Sequence, residues 1–225
     1  MKDHRLEELM TKFSSARVAV LGDFFLDFYI QLDRSLSELS LETHKEAFQA
    51  VDLRSQPGTA GVVTNNLTAL GAQSAAIAYI GKDGSGYTLK KALEERNVNT
   101  SYLIETEERF TPTYTKPLME EVDGQTIELN RIDIINRSPN SQALNNALVE
   151  SVYEAAQAYD GILVVEQVKH DGYGTMSPPL RLALAEVSKT HARKIIMVDS
   201  RHFGAKYSNV SLKLNLSEAA AAVRD

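Results

Sequence analysis

Cysteine is absent from all 225 residues. That removes a disulfide framework, a thiolate zinc site and a cysteine nucleophile together. Long apolar runs are missing too. Nothing approaches the ~20 residues a membrane-spanning helix needs, and the opening MKDHRLEELMTKFSSARVAV carries charges throughout where a signal peptide has an apolar core. There is no excess of positive charge: Lys and Arg number 24 against 30 Asp and Glu, a net −6. With no basic stripe either, neither nucleic acid nor an anionic membrane is an expected partner, and the expected location is the cytoplasm. The remaining balance, 43% hydrophobic and 24% charged, suits one generous α/β domain or two small ones with a sizeable core.

Several chemical signatures are also lacking. A phosphate-cradling GxxxxGK[ST] loop would need glycine at Ala76 and a hydroxyl at Asp83. The stretch DGSGYTLKKALE (83–94) starts and ends like a calcium loop, but Thr88 stands where that loop needs glycine. The dinucleotide fingerprint GxGxxG does not occur, and the histidines (His4, His44, His170, His191, His202) lack metal-ligand spacing. There is no internal repeat, low-complexity segment or linker, so the chain reads as one domain over 1–225.

What is present is an alternation. RVAVLGD (17–23), SAAIAYIG (74–81), GILVVEQ (161–167) and RKIIMVD (193–199) are apolar runs with the look of buried strands, SYLIE (101–105) is a further candidate, and another short apolar run lies at 210–214. Helical patterns precede or separate them: 5–15, a stretch following Pro57-Gly58 and stopping at Gly71, 85–97, 141–158 and roughly 177–190. Buried strands alternating with amphipathic helices predict a doubly wound parallel sheet with helices on both faces. Residues 28–56 and 110–131 lack the helix period. The second holds Asp123-Gly124 between alternating residues, so both read as extended ribbons forming a small β flap.

In such a sheet ligands bind beyond the carboxyl ends of the strands. That directs attention to Asp23 and Asp27, to Lys82 and Asp83, to Glu166 through Asp171, to Asp199 through His202, and to Asn215, Ser217 and Glu218. Asp23 and Asp27 would share a face if they lay on one helical turn, fit to grip hydroxyls or a metal; equally, Asp23 caps local backbone and Asp27 is a solvated loop residue. The small residues of PGTAG (57–61) let backbone N–H groups approach a ligand oxygen, or simply allow a tight turn and close helix packing. Asn65 and Asn66 are polar for their helix, which capping, a surface position or a ligand contact would each explain. NLSE (215–218) has a capping-box spacing.

Six of these fragments, in order from Arg17 to Glu218, resemble the ribokinase-like (PfkB) family of carbohydrate kinases, nearest its heptose-phosphate kinase branch. VAVLGDFFLDFY resembles the family's GDxxxDxY opening, and PGTAGVVTNNLTALGA its PGGAANVAxNLAALGA. IGKDGSGYTLKKALEERNV is similar to GxDxxGxxLxxxLxxxGV, FTPTYTKPLM to TPTKTR, MVDSRHF to VDPKxxxF, and LKLNLSEA to the NxxE helix start. The resemblance implies a doubly wound kinase domain with a β lid from 28–56 and 110–131, moving the γ-phosphoryl of ATP, with Mg²⁺, to a sugar or sugar phosphate. It implies a homodimer through the lid as an option. By position it makes Asp27, Gly58, Thr59, Asn65, Asn66 and Glu166 substrate-side residues, Asp199 a cofactor residue, and Asn215 and Glu218 organisers of phosphate and Mg²⁺, Glu218 as the metal-side carboxylate.

The departures from the pattern matter equally. Thr59 replaces the family's second glycine, and Val62 its sugar-contacting Asn, so Thr64, Asn65 or Asn66 would have to compensate. EQVKHDGYG (166–174) replaces DYGKG, leaving Glu166 and Asp171 as rival equivalents of its Asp. The glycine-rich anion hole and catalytic base, in a GAGD-like stretch beyond NxxE, do not occur. The expectation is therefore the N-terminal portion of such a kinase, with the sugar half present and no catalytic base. A non-catalytic sugar-binding or oligomerisation module built on that fold is the alternative.

Overall fold

A computed structural model describes residues 3–223. Its main sheet is built from β1 (Arg17–Gly22), β4 (Gln73–Gly81), β5 (Val98–Asn99), β6 (Leu103–Thr106), β10 (Gly161–Glu166), β11 (Ile195–Ser200) and β12 (Ser211–Leu212). The strand order is β12-β11-β10-β1-β4-β5, with β6 also on β4, and every pairing is parallel. Burial on both faces explains the near-continuous apolar runs of β1, β4 and β10.

Helices α2 (Ala60–Ala69) and α3 (Gly84–Glu94) cover one face, meeting Val20, Ala76, Ala78 and Ile80 through Ala60, Leu89 and Leu93. Helices α4 (Gln142–Ala158) and α5 (Pro178–Thr190) cover the other, packing Leu148, Val152, Leu180 and Leu184 on Leu21, Ile77, Val164 and Val198. The doubly wound α/β fold with helices on both faces is thus observed. Two further helices, α1 (Asp3–Phe13) and α6 (Leu216–Ala222), lie near the two ends of the chain. Among the described residues no helix is long and apolar enough to cross a membrane.

A second, mixed sheet stands out from the first. It contains β2 (Phe24–Leu39), β3 (Glu46–Thr59), β7 (Thr113–Glu120), β8 (Thr126–Glu128) and β9 (Ile132–Ile134), in the order β3-β2-β7-β8 with β9 on β7. Most of segments 28–56 and 110–131 falls in these strands. One alternative falls away: LGDFFLD is not a helical turn, because β1 runs through a single residue, Asp23, into the long strand β2, so Asp23 and Asp27 sit in different environments. The helix expected after Pro57-Gly58 is observed: those two residues are paired with Leu26 and Phe25 in β3, and α2 begins at Ala60.

Candidate functional site

The strand order reverses at β1, whose neighbours β4 and β10 wind outward in opposite directions, and a doubly wound sheet opens its binding crevice there. The chain leaves β1 at Gly22, whose φ of +148° and closeness to the Val165 carbonyl leave no room for a side chain. Asp23 follows, buried at the root of β2. Its carboxylate accepts backbone N–H bonds from Gln167 (2.7 Å), Val168 (3.0 Å) and Thr175 (2.8 Å), which ties the loop after β10 to β1. Burial outweighs those three donors and holds the Asp23 pKa above its ordinary value. Capping local backbone is what Asp23 does here.

Asp27 lies on β2, beyond the carboxyl end of β1. Strand registers put Gln56, Asp27, Tyr114 and Asp133 in one row across the lid and Arg54, Tyr29 and Lys116 in the next. Since alternate residues share a face, these rows form one surface. The Lys116 ammonium lies 3.3 Å from Asp27 Oδ1 and donates to the Tyr29 hydroxyl, also at 3.3 Å. Both charged side chains are largely shielded, 15% exposed for Asp27 and 18% for Lys116. Burial lowers the Lys116 pKa, but Tyr29 and Asp27 outweigh it and hold the ammonium above its ordinary value. Arg54 stacks 4.0 Å from the centre of the Tyr29 ring, and Arg131 4.2 Å from that of Tyr114. Gly58 sits against Asp27; a Cβ there would lie 2.9 Å from the carboxylate carbon. The corner therefore offers a carboxylate for hydroxyl donors and three cations, of which Lys116 is paired with Asp27 and Arg131 with Asp133.

The other expected residues divide. Gly58 and Thr59 belong to this corner. Thr59 takes φ 53°, ψ −114°, a conformation suited to glycine, and its buried hydroxyl finds no partner. Asn65 lies elsewhere, in a cleft of about 720 Å³ with Gln73, Ser74 and Arg96 at the amino ends of the strands. Asn66 is exposed on α2, and Val62 is exposed as well. Glu166 is buried and committed: it pairs with Arg181 and accepts from Ser200 (2.6 Å) and Tyr207 (3.0 Å). Its rival Asp171 is held by Arg181 and Lys206, each at 2.8 Å. Asp199 pairs with Lys213 at 2.7 Å.

Asn215 and Glu218 form a full capping box at the start of α6. The Asn215 side chain accepts the Glu218 N–H at 2.9 Å, and Glu218 accepts the Asn215 N–H at 2.8 Å. Among the described residues no three His, Asp or Glu side chains gather as a metal site. With Asn215 and one Glu218 oxygen used in the cap, the residues present do not by themselves fit Mg²⁺.

The match to known proteins agrees with this architecture. The model of the pfkB family carbohydrate kinases matches residues 16–200. The chain belongs to the pfkB carbohydrate kinase family. The bifunctional protein HldE of Trichlorobacter lovleyi is 30% identical over 96% of this pfkB chain and 42% of its own length, and that of Citrifermentans bemidjiense 28% identical over 94% and 41%. The chain thus spans about two fifths of the curated relatives it matches. Among solved structures, phosphofructokinase-2 from Escherichia coli in complex with fructose-6-phosphate aligns with a TM-score of 0.60, 16% identity and coverage of 93% of this chain and 64% of that one. Ribokinase from Cryptococcus neoformans in complex with ADP aligns at 0.53 with 17% identity, covering 93% and 59%. These are likenesses of fold.

The motifs of the sequence lead to Asp27, Gly58 and Thr59. They do not lead to Lys116, Tyr29, Arg54 or Arg131, although Lys116 closes the TPTYTK stretch and carried a signal there.

Proposed function

We propose that the Asp27 corner binds a sugar phosphate, as the acceptor half of a PfkB-type kinase of the heptose-phosphate branch. The observation that carries this reading is the shielded Asp27–Lys116 pair at 3.3 Å beside Gly58. A carboxylate held by an ammonium can exchange that partner for sugar hydroxyls, while Lys116 and Arg54 supply a cationic rim for a phosphate that is not transferred. Phosphoryl transfer itself needs charge stabilisation at the γ-phosphate, with Mg²⁺, and a carboxylate to take the hydroxyl proton. With no GAGD-like stretch in the sequence, the 225-residue chain is read as binding without turnover.

Calorimetry with fructose 6-phosphate and a heptose phosphate tests this. Binding of either by the wild-type chain, with a loss of about 10–100-fold in Asp27→Ala, matching ~1.5–3 kcal/mol for bonds to a charged group, is the expected result. Unchanged affinity in Asp27→Ala overturns it, and ADP release from Mg-ATP and a sugar phosphate overturns the absence of turnover.

The lid also exposes Leu39, Leu41, Leu53 and Val122, a set that favours a second copy pairing along the lid. Sedimentation velocity is expected to show a dimer, which charged residues at Leu41 and Leu53 would dissociate.

A further inference from the structure

Among the described residues, two buried charged side chains, Arg109 and Asp23, have no ionic partner. Arg109, 6% exposed, lies in the loop between β6 and β7. Its guanidinium donates to Ser138 Oγ at 3.1 Å and Asn140 Oδ1 at 2.7 Å, and its Nε is buried without a partner. No carboxylate among the described residues lies within ion-pair distance of it. Asp23, 2% exposed, is satisfied by backbone N–H groups alone. An isolated buried charge is costly, so two of opposite sign in one region call for a connection.

The connection is continuous. Arg109 Nη2 donates to Asn140 Oδ1, and Asn140 Nδ2 donates to the Gly174 carbonyl at 2.9 Å. That carbonyl shares its peptide plane with the Thr175 N–H, which donates to Asp23 Oδ1 at 2.8 Å. Guanidinium, side-chain amide, peptide and carboxylate therefore follow one another with every dipole in the same sense. Aligned hydrogen bonds of this kind polarise and strengthen one another. Gly174 permits the approach, because a Cβ there would collide with Asp23 Oδ1 and Val168. Asn140 grips the same loop a second time, its own N–H donating to the Gly172 carbonyl at 2.9 Å.

Both ends of this chain sit at roots of the lid. Asp23 directly precedes β2, and its carbonyl accepts the Ala60 N–H at 3.1 Å, one residue past β3. Arg109 lies just before β7, whose approach is pinned where the Thr111 N–H donates to Asp83 Oδ2 at 2.9 Å. We propose that Arg109, Asn140, the Gly174–Thr175 peptide and Asp23 form one amide-relayed charge pair that fixes the roots of β2 and β7, so that Asp27 on one strand and Lys116 on the other stay in register. Arg109, Asn140 and Asp23 are then positioning residues for the sugar corner. Their functional meaning rests on the sugar-phosphate reading above, while the relay itself does not.

Asn140→Asp in the full 225-residue chain separates relay from mere packing. The new carboxylate pairs directly with Arg109 but has no N–H for Gly174, so Arg109 gains an ionic partner while the relay is cut. Three readouts follow. The Thr175 amide proton should shift upfield in NMR spectra as its bond to Asp23 weakens. Since the chain has no cysteine, spin labels at Gln125→Cys and Glu150→Cys report lid-to-body distances, whose distribution should broaden. Fructose 6-phosphate affinity should fall about tenfold, within the ~2–30-fold typical of coupling through a packed network, with Tm little changed.

An unmoved Thr175 resonance and an unchanged distance distribution overturn the relay. If Asn140→Asp does not fold, Arg109→Gln, which keeps a donor and removes the charge, should give the same upfield shift, and no shift overturns the proposal equally. If the wild-type chain binds no sugar phosphate while the first two readouts respond, the substrate reading fails and the relay stands.

Discussion

Thr59 holds a backbone conformation that its side chain opposes. At φ 53°, ψ −114° a β-branched residue is strained by about 1–3 kcal/mol, and its hydroxyl is buried without a partner. Glycine would relieve the strain but lose about 0.5–1 kcal/mol to unfolded-state entropy. Thr59→Gly is therefore expected to gain roughly 1 kcal/mol, a rise of ~2–4 °C in Tm for a chain of this size, read by thermal denaturation. A lower Tm would mean that the side chain is anchored after all.

At this scale Asp27, Gly58 and Thr59 were legible because each sits in a contiguous motif of recognisable spacing. Lys116 is the counterpart, 89 residues from Asp27 in sequence yet 3.3 Å away, brought there by the parallel pairing of β2 with β7. No spacing along the chain encodes that register. Asn65 misled for a related reason. Helical phase and position carry it toward the amino ends of the strands, while composition alone marks it only as a polar residue on an apolar helix.

Among elements, the ends of β10 and β11 are fastened to α5 by one side chain. Arg181 pairs with Glu166 and Asp171 and lies 5.1 and 5.4 Å from the ring centres of Phe203 and Tyr207. Removing it leaves Glu166 charged and buried with only hydroxyl partners, so Arg181→Met is expected to cost about 3–5 kcal/mol in urea unfolding. A cost below 1 kcal/mol would show that Glu166 is protonated or hydrated.

Burial pushes the Asp171 pKa up, but Lys206 and Arg181 outweigh it and hold the carboxyl below its ordinary value. A lowered folded-state pKa gives stability that is complete above the unfolded value of about 3.9 and is lost as pH falls through the folded one. Asp171→Asn should therefore flatten the acid limb of stability below roughly pH 4, and an unaltered limb would remove Asp171 from the latch. Elements of strong period, such as α4 and β10, were readable from sequence within a residue or two. The start of α2 at Ala60 likewise falls just after Pro57-Gly58, as expected, but that Pro57, Gly58 and Thr59 are held extended by strand pairing with β2 was not readable, because the partner strand lies about thirty residues earlier in the chain.

Over the whole molecule the two faces of the sheet are unequally covered. Helices α4 and α5 bury Ile196 and Val198 of β11. On the opposite face α2 and α3 reach β1 and β4 but not β11, so that Ile195 is 63% and Met197 41% exposed. Alternation along a single strand thus places residues of similar hydrophobicity in contrasting surroundings. The consequence is a sharp asymmetry between neighbours in the 225-residue chain. Met197→Lys keeps its ammonium in water and should change stability by no more than about 0.5 kcal/mol. Val198→Lys drives a charge between α5 and the sheet, and should either cost several kcal/mol or prevent folding. Urea denaturation of the two variants side by side decides the matter. If Met197→Lys were as damaging as Val198→Lys, something would already cover that face in solution, and a second copy of the chain would be the first occupant to test by measuring whether the loss depends on protein concentration.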